Sequence, residues 1–165
     1  MLTGLGLEFV LKNYGNSPAV SIVAGASMIP SNIDAFAERT RVCAELEGRD
    51  PKQGATIFPG ETPTESTQAH ISSKGIQMGT MQMGKKESMF LPIIVGCAVY
   101  RATFRVTESG ASVRTGGPYR TGAIWTLSRV DPLHKGMNFA IIIGKELPEN
   151  QMRLSLFPQG AINAN

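Results

Sequence analysis

The segment 91–106 restricts the fold more than any other part of the chain. In its first half Ile93, Ile94, Val95, Cys97 and Val99 are apolar at odd and even positions alike. Successive side chains of a strand point to opposite faces, so this strand must be covered on both. The second half alternates Ala102, Phe104 and Val106 against Arg101, Thr103 and Arg105, so the strand emerges toward an end of its sheet. Residues 107–118, with three glycines and two serines, read as a flexible loop. Tyr119, Ala123, Trp125 and Leu127 then alternate with Arg120 and Thr126 and supply the partner strand, which Asp131-Pro132 ends. Residues 139–143 read as a buried strand, and Met152, Leu154 and Leu156 alternate in a last one.

The N-terminal half carries the same grammar. Leu7, Phe9 and Leu11 alternate with Glu8 and Lys12, and Val20, Ile22, Ala24, Ala26 and Met28 alternate with Ser21, Gly25 and Ser27. The turn formers from Asn13 to Pro18 lie between them, so the two segments are expected to form an antiparallel hairpin. A helix over about 32–47 follows, capped by Ser31 or Asn32. Ile33, Phe36, Ala37, Thr40, Cys43 and Ala44 form its apolar stripe, and Gly48 and Asp50-Pro51 stop it. Residues 62–74, rich in Thr and Ser, suit an exposed strand, and 74–88 read as a long connection. The expectation is a mostly β chain: one antiparallel immunoglobulin-like β-sandwich domain, 1–165, of seven to eight strands with one inserted helix.

Composition narrows the functional classes. Sixteen basic against 13 acidic residues leave a net charge of +3, and the only adjacent lysines are Lys85 and Lys86, so a nucleic-acid partner is not expected. Three aspartates leave little for a hard-cation site. No apolar run approaches the roughly 18 residues of a membrane-spanning helix. No P-loop, G-x-S-x-G or G-x-G-x-x-G occurs, and no cofactor is expected.

Four stretches stand out together: Lys12-Asn13-Tyr14-Gly15-Asn16-Ser17-Pro18-Ala19, Phe58-Pro59-Gly60-Glu61, Val95-Gly96-Cys97-Ala98-Val99-Tyr100-Arg101, and Tyr119-Arg120-Thr121-Gly122-Ala123-Ile124-Trp125. The set resembles a family of uncharacterised bacterial proteins with an N-x-G-x-[ST]-P-A turn, a later P-G turn, a V-x-G-x-x-V-Y-type strand and a closing strand. The resemblance spans nearly the whole chain. It implies an immunoglobulin-like β-sandwich behind an N-terminal membrane helix, and no catalytic residues. The membrane helix is missing here, so the chain is expected to be the soluble part of a longer membrane-anchored protein, with the periplasm favoured over the cytoplasm.

The side chains that carry chemistry each have a plainer structural reading. His70 and His134 stand apart from any acid–base arrangement of known type, and an exposed solitary histidine is mostly solvated. Cys43 and Cys97 are expected to approach each other, as a disulfide or as two buried thiols. Met78, Met81 and Met83 are soft donors that suit Cu(I), with His70 or Met89 as an added ligand; the alternative is methionines filling gaps. Arg101, Arg105 and Arg120 can form an anion site for phosphate or carboxylate, or a solvated sheet face. Asn13 and Gly15 read as turn residues, and Trp125 as a core aromatic. The leading expectation is a non-catalytic interaction or sensing module with a protein partner. A small anionic-ligand receptor using the arginines is the alternative, and a Cu(I)-binding loop a weaker one.

Overall fold

The computed structural model describes residues 2–50, 54–83, 87–106, 112–131, 133, 137–145, 147–157 and 162–164. Among them lie twelve strands and two α-helices. In chain order these are β1 (Leu2–Val10), β2 (Ala19–Pro30), α1 (Ala35–Glu47), β3 (Ala55–Ile57), β4 (Thr64–Ser72), α2 (Ser73–Gly79), β5 (Thr80–Met83), β6 (Glu87–Phe90), β7 (Pro92–Val106), β8 (Ser112–Val130), β9 (Asn138–Phe139), β10 (Ile141–Ile142), β11 (Met152–Leu156) and β12 (Ile162–Ala164).

The long apolar segment is the central strand β7, and every residue from Pro92 to Val99 is buried. It pairs antiparallel with β2 on one side and β8 on the other, in a sheet ordered β11-β8-β7-β2-β3, with β9 and β12 also on β8. Alternation then sorts its side chains between two covers. Ile93, Val95, Cys97 and Val99 face α1, where Ala35, Val42, Cys43 and Leu46 close over them. Ile94 faces a two-stranded ribbon of β1 and β4, and packs with Leu7, Ala69 and Ile71 from the ribbon and with Met28 and Leu127 from the sheet. The result is a mostly β, antiparallel sandwich with an inserted helix on its outer face. Ile94, Val95 and Ile124 have no exposed surface, and burying each contributes roughly 1.5–3 kcal/mol.

Helix α1 begins at Ala35, later than the expected 32, because Asp34 rather than Ser31 or Asn32 is its cap. Asp34 Oδ1 accepts from Phe36 N (2.9 Å) and Ala37 N (3.1 Å). That start sets the buried face as Ala35, Val42, Cys43 and Leu46, while Ile33, Ala37, Thr40 and Ala44 are exposed. A disulfide and side-chain hydrogen bonds fasten the helix to the sheet. Cys43 and Cys97 form a disulfide with Cα atoms 5.5 Å apart. Ser27 Oγ of β2 donates to Glu38 Oε1 (2.6 Å), and Arg41 donates to both oxygens of the same carboxylate (2.9 and 2.7 Å).

Other elements depart from the sequence pattern for identifiable reasons. Strand β1 pairs with β4 over nine positions, not with β2 in a hairpin. Its period of two requires a partner and a core but does not name them, and residues 11–18 carry the chain between layers instead of reversing it within one. Residues 73–79 form α2 within the expected connection. Ser72 Oγ accepts from Gly75 N (3.1 Å), and the two helix glycines permit close packing: a Cβ on Gly79 would stand 2.3 Å from Pro30 Cβ. The twelve described strands exceed the expected seven to eight because short β5, β6 and β10 form a separate small sheet and the two- and three-residue strands β9 and β12 add to β8. Residues 112–118, expected in a loop, extend β8, and 107–111 lie outside the described residues. Residues 139–143 are divided between two sheets and are half-buried, with Ile143 exposed. The alternating segment at 152–156 is strand β11, beside β8, but the ribbon does not cover Leu154 and Leu156, which are exposed.

The disulfide joins residues separated by 54 positions, and the chain-entropy account assigns such a loop about 4 kcal/mol. Replacing both Cys43 and Cys97 by Ala is expected to lower unfolding stability by about 3–4 kcal/mol, read from urea unfolding midpoints. Reductant is expected to destabilise the parent chain and leave the double variant unmoved.

The Glu38 carboxyl is held below its ordinary value of 4.5, first by its hydrogen bonds from Arg41, against the opposing effect of burial, and with help from Ser27. Its stabilisation is therefore fully present above about pH 4.5 and is lost as pH falls through the depressed value. Glu38→Gln is expected to lower stability at pH 7 and to flatten the acid limb of a stability–pH profile below that point.

Candidate ligand cleft

Cross-strand register aligns the third and fourth of the standout stretches. Tyr100 lies opposite Tyr119, Ala98 opposite Thr121, and Gly96 opposite Ala123, all on the ribbon side of the sheet. The tyrosine rings stack, with centroids 5.7 Å apart and planes inclined at 29°. Alanines and glycine beside them leave a hollow. A bulge in β2 deepens it: the register shifts between Val20 and Val23, with Ser21 at φ 55°, so both Ala19 and Ile22 line the same hollow.

The first stretch closes over this floor, and the second bonds to the first. Asn13 is the clasp. Its Nδ2 donates to Ser17 O (2.9 Å) and across the chain to Ile57 O (3.0 Å), while its Oδ1 accepts from Gly15 N (2.9 Å). Its backbone carbonyl accepts from Gly60 N (3.1 Å). Gly60 can take that place because it adopts φ +85° in the Pro59-Gly60 turn, where Glu61 N donates to Phe58 O (3.1 Å) and the Glu61 carboxylate accepts from Phe58 N (2.8 Å). Leu11 N bonded to Pro63 O and Thr103 N bonded to Pro18 O fix the two ends of the strap.

Between strap and floor lies an open cleft of about 720 Å³. Its walls mix the phenols of Tyr14, Tyr100 and Tyr119 with hydroxyl and amide groups of Ser17, Asn16 and Thr121 over aliphatic side chains. Lys12 is the charged residue at its edge, and its ammonium sits 4.8 Å from the Tyr14 ring centroid. A smaller hollow of about 160 Å³ continues inward beneath Phe9 and Trp125, whose rings stack at 5.7 Å. Gly96 keeps it open, since a Cβ there would approach Trp125 at 2.8 Å and Phe9 at 2.9 Å.

Neither Arg101 nor Arg120, the expected arginines whose side chains are described, lines either space. Arg120 lies on the opposite, helix-bearing face, where its guanidinium donates to both carboxylate oxygens of Glu47. Arg101 is half-buried on β7, opposite Val20 of β2. The Arg105 and Met83 side chains and all of His134 lie outside the described residues. His70 is exposed on β4, against Gly4 of β1, which has no Cβ to displace the ring. Met78 and Met81 are exposed. Among the described residues no helix is long and apolar enough to cross a membrane. Sequence reasoning singled out all four stretches around the cleft but read them separately as turns and strands. The turn at 13–18 meets the Pro-Gly turn and the strand before it through Asn13, whose backbone carbonyl accepts from Gly60 N and whose amide donates to Ile57 O.

Comparison with known proteins gave no matching family model, curated protein or solved structure.

Asn13 supplies a test of this architecture. Asn13→Asp replaces an amide that donates to two carbonyl oxygens with a carboxylate that opposes them. The variant is expected to lose about 1–3 kcal/mol at pH 7 and to regain part of that at pH 4, when the acid is protonated; thermal unfolding at the two pH values reads the difference.

Proposed function

We propose that this chain is a non-catalytic binding module, an immunoglobulin-like β-sandwich belonging to a membrane-anchored protein, and that it holds its ligand or a segment of a partner in the cleft beneath the 11–18 strap. One observation carries the reading: three of the four stretches, far apart in the sequence, line a single hollow, two as floor and one as strap, and the fourth bonds to the strap through Gly60. Turn chemistry alone would not require them to share a place. The walls offer aromatic faces, hydroxyls and amides over an apolar floor, the usual mixture for orienting an uncharged or weakly charged ligand. The Cys43–Cys97 bond supports an oxidising compartment and therefore a periplasmic or other extracytoplasmic position.

An amide-resolved NMR titration tests this with three probe sets: neutral saccharides, short uncharged peptides, and inorganic phosphate. The expected result is shifts from one of the first two sets, concentrated at Asn16, Ser17, Tyr100, Tyr119 and Thr121 and lost in the cleft-filling variant Ala98→Leu. Absence of cleft shifts from both neutral sets at millimolar concentration would overturn the reading. Phosphate shifts centred on Arg101 and Arg120 instead would favour the anion-receptor alternative.

A further inference from the structure

The remaining concentration of unusual side chains is at α2, β5 and β6. Four of the eight methionines, Met78, Met81, Met83 and Met89, fall within 78–89. Strands β5 and β6 are antiparallel, and their register sets Met81 directly opposite Met89, with Ile142 of β10 on the far side of Met89. The neighbouring row of the same sheet is Thr80, Phe90 and Ile141, and Phe90 is buried in the ribbon-side core at 6% exposure. Alternation therefore turns Met81 and Met89 to the opposite, outer face. Met81 retains 49% of its surface and Met78 52%. A cross-strand pair has its Cβ atoms about 4.5–5.5 Å apart, a spacing from which two flexible thioether arms can reach one ion between them.

We infer that the outer face of the β5–β6 hairpin is a Cu(I) site, with the Met81 and Met89 thioethers as ligands. The donor chemistry selects the ion. Thioethers are soft and uncharged, and they favour Cu(I) over the hard cations that need carboxylate oxygens. Both cysteines are bonded to each other, so thioethers are the available soft sulfur donors. Unlike thiolates, they need no deprotonation and do not close into disulfides. Cu(I) is satisfied by two or three donors, and exposed Met78, three residues before Met81, is the third sulfur within reach along the chain. The pair is set by register across two strands, so it differs from the linear M-x-x-M-x-M triplet that the sequence displays. It is independent of the proposed cleft.

The test is anaerobic competition of the purified chain against ferrozine for Cu(I) kept reduced by ascorbate, with Ag(I) as a redox-inert probe in ¹³C-methyl-methionine NMR. The expected result is one ion per chain, methyl shifts at Met81 and Met89, and affinity lowered more than about tenfold by Met81→Leu or Met89→Leu. The leucine changes conserve volume, and an unchanged thermal midpoint keeps a loss of affinity separate from a loss of fold. Met137→Leu serves as the control and is expected to bind as the parent does. The proposal is overturned by failure to compete with ferrozine, by parental affinity in the Met81→Leu/Met89→Leu double variant, or by Ag(I) shifts confined to other methionines.

Discussion

Coverage of β7 on both faces is the constraint from which the rest of the architecture follows. Eight consecutive buried residues in one strand leave no face for water. A sheet alone cannot satisfy them, so one cover must come from elsewhere on each side. The helix α1 supplies one, and the β1–β4 ribbon supplies the other. Each cover is amphipathic and short of a full layer. The ribbon has two strands over a much wider sheet, which is why Leu154 and Leu156 at the β11 side stay exposed while Leu127 beside them is buried.

The same incompleteness makes the cleft. Toward one end of β7 the ribbon gives way to the strap, and the floor changes from branched side chains to Gly96, Ala98 and Ala102. The register shifts at Val20/Val23 and Tyr100/Ala102 lie at this same end of the sheet. The stacked tyrosines mark its outer limit and Trp125 its inner one.

How much of this was legible in the sequence depended on whether the deciding contact was local. The central strand was legible because a run of apolar residues needs no partner to be recognised. The approach of Cys43 to Cys97 followed from placing one on a helix and the other on the strand it covers. The phase of α1 was not legible, because Asp34 competes with Ser31 and Asn32 for the cap and only the helix's docking decides among them. Helix α2 was hidden by Gly75 and Gly79, residues that weaken a helix by propensity and are present because Ile71, Pro30 and Phe90 press against them. The Asn13 amide was read as serving its own turn. Half of its work is done 44 residues away, at Ile57.

The disulfide has a consequence for the cleft that concerns chain topology. The bond closes a covalent ring from Cys43 to Cys97, and the ring contains Ile57, the Pro-Gly turn and β4. The strap at 11–18 and the floor at Ala98, Tyr100, Tyr119 and Thr121 lie outside it. The cleft is thus a seam between a cyclised part of the molecule and its two open arms, held across by the Asn13 amide. A ligand seated there would touch both ring and arms, with the ring's closing residue Cys97 next to Ala98 of the floor.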